Sequence, residues 1–259
     1  MNDPAPGPGA ASSGPPGPEP APPRTAVAHS SGRLMALIAV RTAFFLAVAG
    51  AILFLAAGTV DWPFAWAYLG AYLASIVVFG WLVAWRNPDL IAERMQAERK
   101  ADVKRWDRPF VAAIAIVLPP AVWLVAGLDR RFGWSSDPGI GLAVVALAVA
   151  FLGSALSFWA MASNRFFSAL VRIQKDRGHV VVTGGPYAAV RHPGYVGAIA
   201  TNLATPVVLG SVWALAIGAV IVVLFVVRTA LEDRTLQREL DGYADYARRV
   251  RWRLLPGVW

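Results

Sequence analysis

Apolar runs long enough to cross a bilayer, separated by short polar connections, set the pattern of this chain. They extend over Leu34 to Val60, Trp62 to Trp85, Pro109 to Leu128, Ile140 to Ala162 and Tyr195 to Val227. Each of the first four reaches the roughly 20 residues that a helix needs to cross the hydrocarbon core, and each predicts one transmembrane helix. The fifth is too long for one. At about 1.5 Å per residue it would form a helix of about 50 Å, against a core of about 30 Å. Pro206 and the Leu209-Gly210-Ser211 break divide it, which predicts a bent or hairpin pair of shorter helices. The expected fold class is an all-α integral membrane protein with about five or six transmembrane helices, the last two forming a hairpin.

The polar segments divide the chain further. Residues 1–33 are rich in Pro, Ala, Gly and Ser and hold no aromatic residue. They cannot bury enough apolar surface to offset the entropy of ordering, so a disordered tail is expected there. The first apolar run begins only at Leu34 and lacks the charged start of a signal peptide. Four membrane helices are expected over 34–163, and a region carrying the chemistry over 164–259. Leu236, Leu240, Tyr243, Ala247 and Val250 recur at helical spacing, which predicts an amphipathic interfacial helix closed by Pro256-Gly257. Such a helix could also wall a bound cofactor.

Charge refines the topology. With the last run taken as a hairpin, 22 of the 24 Lys and Arg fall on one side, and only Arg130 and Arg131 fall on the other. The positive-inside bias makes the crowded side cytoplasmic, with both chain ends on it. Trp62, Trp66, Trp81, Trp85, Trp106, Trp123 and Trp134 lie near span ends, where interfacial anchoring is expected. The formal charge of +8 is scattered between apolar runs, which favours anionic lipid headgroups over nucleic acid as its partner. With 57% hydrophobic and 15% charged residues, an ordinary soluble domain is excluded. There is no cysteine, and the three histidines are dispersed, so neither thiolate chemistry nor a zinc site is expected. The sequence also lacks the P-loop, nucleophile-elbow, H-E-x-x-H and complete GxGxxG patterns. An enzyme built this way would work by positioning and electrostatics.

Polar residues concentrate between Gln174 and Gly197. Val180 to Val182 favour an extended stretch, and Gly184-Gly185-Pro186 favour a tight turn after it. Pro193 suits a first helical turn and biases His192 to the cap position. That helix start would turn N–H groups and a positive dipole end toward a carboxylate. On local physics alone, His192 equally well serves only as a cap, and Tyr187 and Tyr195 as interfacial anchors. Further on, Arg228 and Glu232 share one helical face as an i,i+4 pair. The basic partner comes first, which is the weaker order, and ionisable groups at membrane depth usually have a task.

The run Gly185-Pro186-Tyr187-Ala188-Ala189-Val190-Arg191-His192-Pro193-Gly194-Tyr195-Val196-Gly197 resembles the isoprenylcysteine carboxyl methyltransferase family and its phospholipid methyltransferase relatives. So does the Arg228 to Glu232 element followed by Tyr243-Ala244-Asp245-Tyr246 and Arg248-Arg249-Val250. Together these motifs cover about residues 174 to 256. In the first half, the Asn87-Pro88-Asp89-Leu90-Ile91-Ala92-Glu93-Arg94 loop is similar to that of bacterial relatives, and the residue usage points to a GC-rich bacterial genome. The resemblance implies S-adenosylmethionine as the cofactor, bound at the cytoplasmic membrane face; with that residue usage the membrane is expected to be a bacterial inner membrane, and the dispersed histidines leave no metal expected. It implies a cofactor pocket of His179, Val180, Val181, Val182, Tyr187, His192, Pro193, Gly194 and Tyr195, with Glu232 as a further contact. Gln174 matches an earlier pocket residue, at a shorter interval from His179 than in eukaryotic members. Arg228 corresponds to the residue that meets the substrate carboxylate.

The implied partner is a lipophilic acceptor embedded in the bilayer. A carboxylate is already ionised at neutral pH, so its methylation calls for alignment more than for a general base. The competing expectations are N-methylation of a phospholipid or other lipophilic amine, a membrane reductase with a related C-terminal region, and a scaffold or transporter without catalysis.

Overall fold

The computed structural model of the protein describes residues 24–86 and 102–259. Residues 1–23 of the expected tail and the Asn87 to Arg94 loop lie outside the described residues. Among those described, all regular structure is helical. The helices are α1 (Arg24–Ala57), α2 (Pro63–Ser75), α3 (Trp81–Arg86), α4 (Asp107–Ala112), α5 (Leu118–Phe132), α6 (Gly139–Ser163), α7 (Pro193–Val208), α8 (Val212–Glu239) and α9 (Tyr243–Arg249).

Five helical rods are long and apolar enough to span a membrane: Met35–Ala57, Pro63–Val83, Asp107–Phe132, Gly139–Ser163 and Val212–Glu239. Helix α1 begins at Arg24, ahead of the boundary at residue 33 expected for the tail. Once a span is helical, adding residues to its end needs no new nucleus, and no proline interrupts Arg24 to Gly32. The second and third rods each contain a π-helical turn, Ile76–Gly80 and Ala113–Val117. The latter immediately precedes Leu118-Pro119-Pro120, where two missing N–H groups would interrupt a regular α-ladder.

The expected hairpin is present. Helix α7 has only 16 residues and turns into α8 through Leu209, Gly210 and Ser211. Gly210 has φ 70°, and a side chain there would meet Pro138 Cδ at 2.7 Å. The Ser211 hydroxyl caps α8 by accepting from the Ala214 N–H at 3.0 Å. Pro206 does not break the chain, and it is accommodated inside α7. The short α7 packs closely on α6, because both present small residues at the crossing. A side chain at Gly197 would lie 2.2 Å from the Gly153 carbonyl, and one at Gly153 would lie 2.7 Å from the Gly197 carbonyl. Hydrogen bonds from the Ser157 hydroxyl to the Gly194 carbonyl and from the Thr201 hydroxyl to the Ala150 carbonyl lock this contact.

The bundle core gathers Leu53, Trp62, Tyr68, Trp123, Ile221 and Phe225. Trp62 and Trp123 are therefore core residues and not the interfacial anchors expected from their positions. Trp123 lies well inside its span and donates its indole N–H to the Tyr68 hydroxyl at 3.1 Å. Trp66 and Trp134 remain exposed. The outward faces of the spans are apolar, with Leu55 and Ile140 each 77% exposed. A surface of this kind suits lipid, and the protein is an integral membrane protein.

The turns near Gly58, Ser135 and Gly210 meet at one end. There Asp129, 2% exposed, accepts from the Ser135 backbone N–H and from the hydroxyls of Ser135 and Ser211. Beyond α3, Arg130 and Arg131 are the basic residues of that end among those described, and the others lie toward the opposite end.

Candidate functional site

At that opposite end, three pieces of chain enclose a cleft that is partly open to solvent.

The first wall follows α6. Asn164 ends that helix in an extended conformation, and its side-chain oxygen accepts from the Phe166 N–H at 2.9 Å. Its amide nitrogen donates to the Tyr187 hydroxyl at 3.3 Å. Downstream, Gln174 is fully buried. It donates to the Phe166 carbonyl at 2.6 Å, accepts from Arg177 at 2.6 Å, and gives its backbone N–H to His179 Nδ1 at 3.3 Å. Gly178, at φ 62°, turns the chain there, so that His179, Val180, Val181 and Val182 line the cleft. Burial and the nearby Arg172 and Arg177 push the His179 imidazole down to about 4, so the ring is neutral at pH 7.

The second wall is the Tyr187 to Tyr195 run. Gly185, at φ 60°, packs so tightly on Ser163 that a side chain would come within 2.7 Å of its hydroxyl. Burial, together with the Glu232 carboxylate, holds the Tyr187 phenol above its ordinary range, against the opposing bond from Asn164. His192 caps α7 with Pro193 as its first residue. The expectation of free N–H groups at this helix start is only partly met. The Tyr195 and Val196 N–H groups both turn back to the His192 carbonyl, at 3.0 and 3.2 Å. The His192 ring stacks on Tyr195 with 5.7 Å between centroids.

The third wall is the end of α8 with α9. Glu232, Leu236, Leu240, Tyr243 and Tyr246 all line the cleft. The expected amphipathic helix over 236–250 is divided, because Gly242 takes φ 79° between α8 and α9. Its apolar residues turn inward onto Ala160, Ile173 and Tyr187. Asp233, fully buried, ties this wall to the second. It accepts a fork from Arg191 at 2.7 and 2.9 Å, and single bonds from Arg253, Tyr243 and Gln237. His192 Nε2 stands 3.4 Å from the same carboxylate. Backbone bonds from Arg191 to the Trp252 carbonyl and from His192 to the Arg253 carbonyl close the C-terminal segment over the site.

Of the sequence-derived residues, His179, Val180, Val181, Val182, Tyr187, His192, Gly194, Tyr195 and Glu232 meet around this one cleft. Gln174 stands behind the first wall as a support, and Pro193 is buried at the start of α7. Arg228 is not among the lining residues, and its geometry differs from the i,i+4 pairing with Glu232. Its Nε and Nη2 fork onto Asp107 of α4 at 2.7 and 2.9 Å, and Nη2 also reaches the Ala169 carbonyl. Glu232 instead accepts from the Tyr195 hydroxyl. Arg228 stacks over the Tyr195 ring at 5.1 Å, about 6 Å deeper along α8 than Glu232 at about 1.5 Å per residue.

Sequence reasoning missed Asp107, Asn164 and the roles of Arg191 and Asp233. Asp107 had one signal, an acid in the first turn of a span just before Pro109. Its partner lies 121 residues away, beyond the reach of any spacing rule. Asn164, a polar residue at the end of an apolar run, was readable as a helix stop but not as a bond to Tyr187. Among the described residues, no group of three or more His, Cys, Asp or Glu is placed to hold a metal.

Residues 144–238 match the family model described as the isoprenylcysteine carboxyl methyltransferase (ICMT) family. The chain is 32% identical over 127 residues to Protein-S-isoprenylcysteine O-methyltransferase B of Arabidopsis thaliana, covering 48% of this chain and 60% of that protein. It is 35% identical over 108 residues to Protein-S-isoprenylcysteine O-methyltransferase of Schizosaccharomyces pombe, covering 40% and 46%. It is also 35% identical over 128 residues to the Cobalt-zinc-cadmium resistance protein CzcN of Cupriavidus metallidurans, covering 46% and 53%. The chain thus spans about half the length of the curated relatives it matches. The family segment holds most of α6, the 164–192 loop, α7 and nearly all of α8, while Asp107 and α9 lie outside it.

Proposed function

Since the chain belongs through residues 144–238 to the isoprenylcysteine carboxyl methyltransferase family, we propose that it is an S-adenosylmethionine-dependent methyltransferase of a lipophilic, membrane-embedded acceptor. The observation that carries this reading is the convergence of both sequence motifs on one cleft. There His179 to Val182, Tyr187, His192, Tyr195 and Glu232 come together from segments up to 53 positions apart.

The residues present fit the cofactor. Glu232 supplies a carboxylate for an ammonium or hydroxyl group, and Tyr187 and His179 supply donors for acceptor groups. The rings of Phe166, Tyr243 and Tyr246, with Leu236 and Leu240, offer an apolar and aromatic wall for a purine. When bound, S-adenosylmethionine supplies an electrophilic methyl group on a sulfonium. The chain's own contribution is to orient and to exclude water. Tyr195 holds Glu232 in place, Asp233 holds the second and third walls together, and the C-terminal segment covers them. Arg228 lies behind the cleft wall, one helical turn deeper along α8 than Glu232, and on this reading it is assigned to the acceptor. It favours a carboxylate, which attacks without first losing a proton. The basic residues around the cleft favour a cytoplasmic site at a bacterial inner membrane.

The Asp107–Arg228 pair favours a second reading. By compensating the guanidinium, Asp107 removes the repulsion that Arg228 alone would exert on a cationic amine. A phospholipid or other lipophilic amine therefore stands as the alternative acceptor. Titration calorimetry of the protein in lipid nanodiscs tests the proposal, and no binding of S-adenosylmethionine would refute it. A screen with a labelled methyl donor over isoprenoid acids, prenylated cysteine and amine-headgroup lipids then separates the two acceptor classes.

A further inference from the structure

Resting on the cofactor reading above, we propose that Asn164 is a positioning residue of the cofactor pocket, which commits the Tyr187 hydroxyl to donate a hydrogen bond to the bound ligand. The Asn164 side-chain oxygen is fixed by the Phe166 backbone N–H, which is always a donor, at 2.9 Å. The other end of the amide is therefore the NH₂ group, and this end faces Tyr187 at 3.3 Å. An NH₂ group can only donate, so the phenol oxygen accepts. The one phenolic proton must then go elsewhere. Among the described residues the Tyr187 hydroxyl donates to none, and Tyr187 lines the cleft. A buried phenol with its proton uncommitted recognises an acceptor on a ligand, such as a carboxylate, a ribose oxygen or a ring nitrogen.

The burial that holds the Tyr187 phenol above its ordinary range keeps that proton in place at neutral pH. A second group of the same wall is set in a similar way. His179 Nδ1 accepts from the Gln174 backbone N–H, so the neutral ring carries its proton on Nε2. The first and second walls thus offer donors, while Glu232 on the third offers an acceptor. The cleft has a direction, with acceptor groups of the ligand expected beside Tyr187 and His179 and its cationic group beside Glu232.

The test uses Asn164→Asp. An aspartate still accepts from the Phe166 N–H, so the helix end stays satisfied. It cannot donate to Tyr187, whose hydroxyl would turn round to donate to the new carboxylate. Titration calorimetry with S-adenosylmethionine and with S-adenosylhomocysteine is run on the full chain in nanodiscs for the unmodified protein, N164D, Y187F and the double variant. Binding is expected to weaken roughly tenfold in N164D and in Y187F, the scale of one lost hydrogen bond. The double variant is expected to bind no more weakly than the weaker single one, and the melting midpoint of N164D should stay close to that of the unmodified protein. Binding unchanged in N164D or in Y187F overturns the proposal, and so does a double variant in which the two losses add. If the unmodified protein binds neither ligand, the cofactor reading itself fails. A loss of binding in N164D accompanied by a collapse of its melting midpoint, with Y187F unaffected, would show a purely structural role for Asn164.

Discussion

Replacing Asp107 by alanine should destabilise the protein strongly. The Asp107 side chain is fully buried and takes three bonds: Arg228 Nε at 2.7 Å, Arg228 Nη2 at 2.9 Å and the Val171 N–H at 2.7 Å. Its loss leaves a guanidinium whose side chain is only 8% exposed without its counter-charge. Breaking one side of a buried ion pair typically costs about 3–5 kcal/mol, because the surviving charge stays desolvated. Asp107→Leu combined with Arg228→Met removes both charges and keeps the volume apolar, a replacement that is often near neutral. The double variant is therefore expected to lose less than Asp107→Ala alone. Unfolding in mixed micelles with a denaturing detergent, followed by the fluorescence of the 11 tryptophans, reads these differences. A loss under about 1 kcal/mol for Asp107→Ala, or a double variant as unstable as the sum of the two single ones, would refute the reasoning.

Other expectations follow from the same contacts. Glu232→Ala and His192→Ala should weaken S-adenosylmethionine binding strongly in calorimetry, and cofactor affinity equal to the unmodified protein in both would remove them from the pocket. Arg228→Ala should retain cofactor binding while losing methyl transfer to the acceptor found by the screen, and unchanged turnover would end its substrate role. The His179 imidazole, held down to about 4 from an ordinary 6.5, binds its proton less readily in the folded than in the unfolded chain. The stability it contributes is present above pH 6.5 and is lost as pH falls from there toward 4. His179→Gln should flatten the pH dependence of unfolding in that window, and an NMR titration placing the ring near 6.5 would contradict the geometry. Gly197→Val should disrupt the α6–α7 crossing, because even its Cβ would sit 2.2 Å from a backbone carbonyl, and a melting midpoint unchanged from the unmodified protein would count against that packing.

The apolar runs by themselves determined the helices, since any chain crossing a bilayer must satisfy its backbone internally and must do so over a fixed thickness. The Leu209-Gly210-Ser211 break was legible for a local reason, namely that glycine at positive φ and a serine cap are chemistry of single residues. The motif residues from His179 to Tyr195 and Glu232 were legible as types at intervals, and through their likeness to a known family. What the sequence could not determine was which polar group meets which. Arg228 and Glu232 are one turn apart and look paired, yet tertiary packing gives the first to Asp107 and the second to Tyr195. Asp107, Asn164 and Asp233 gained their roles the same way, through partners brought from distant segments. Local spacing fixes which face of a helix a side chain occupies. Only the packed bundle decides what stands opposite that face, and at low dielectric that opposite group sets charge, proton position and the direction of each hydrogen bond.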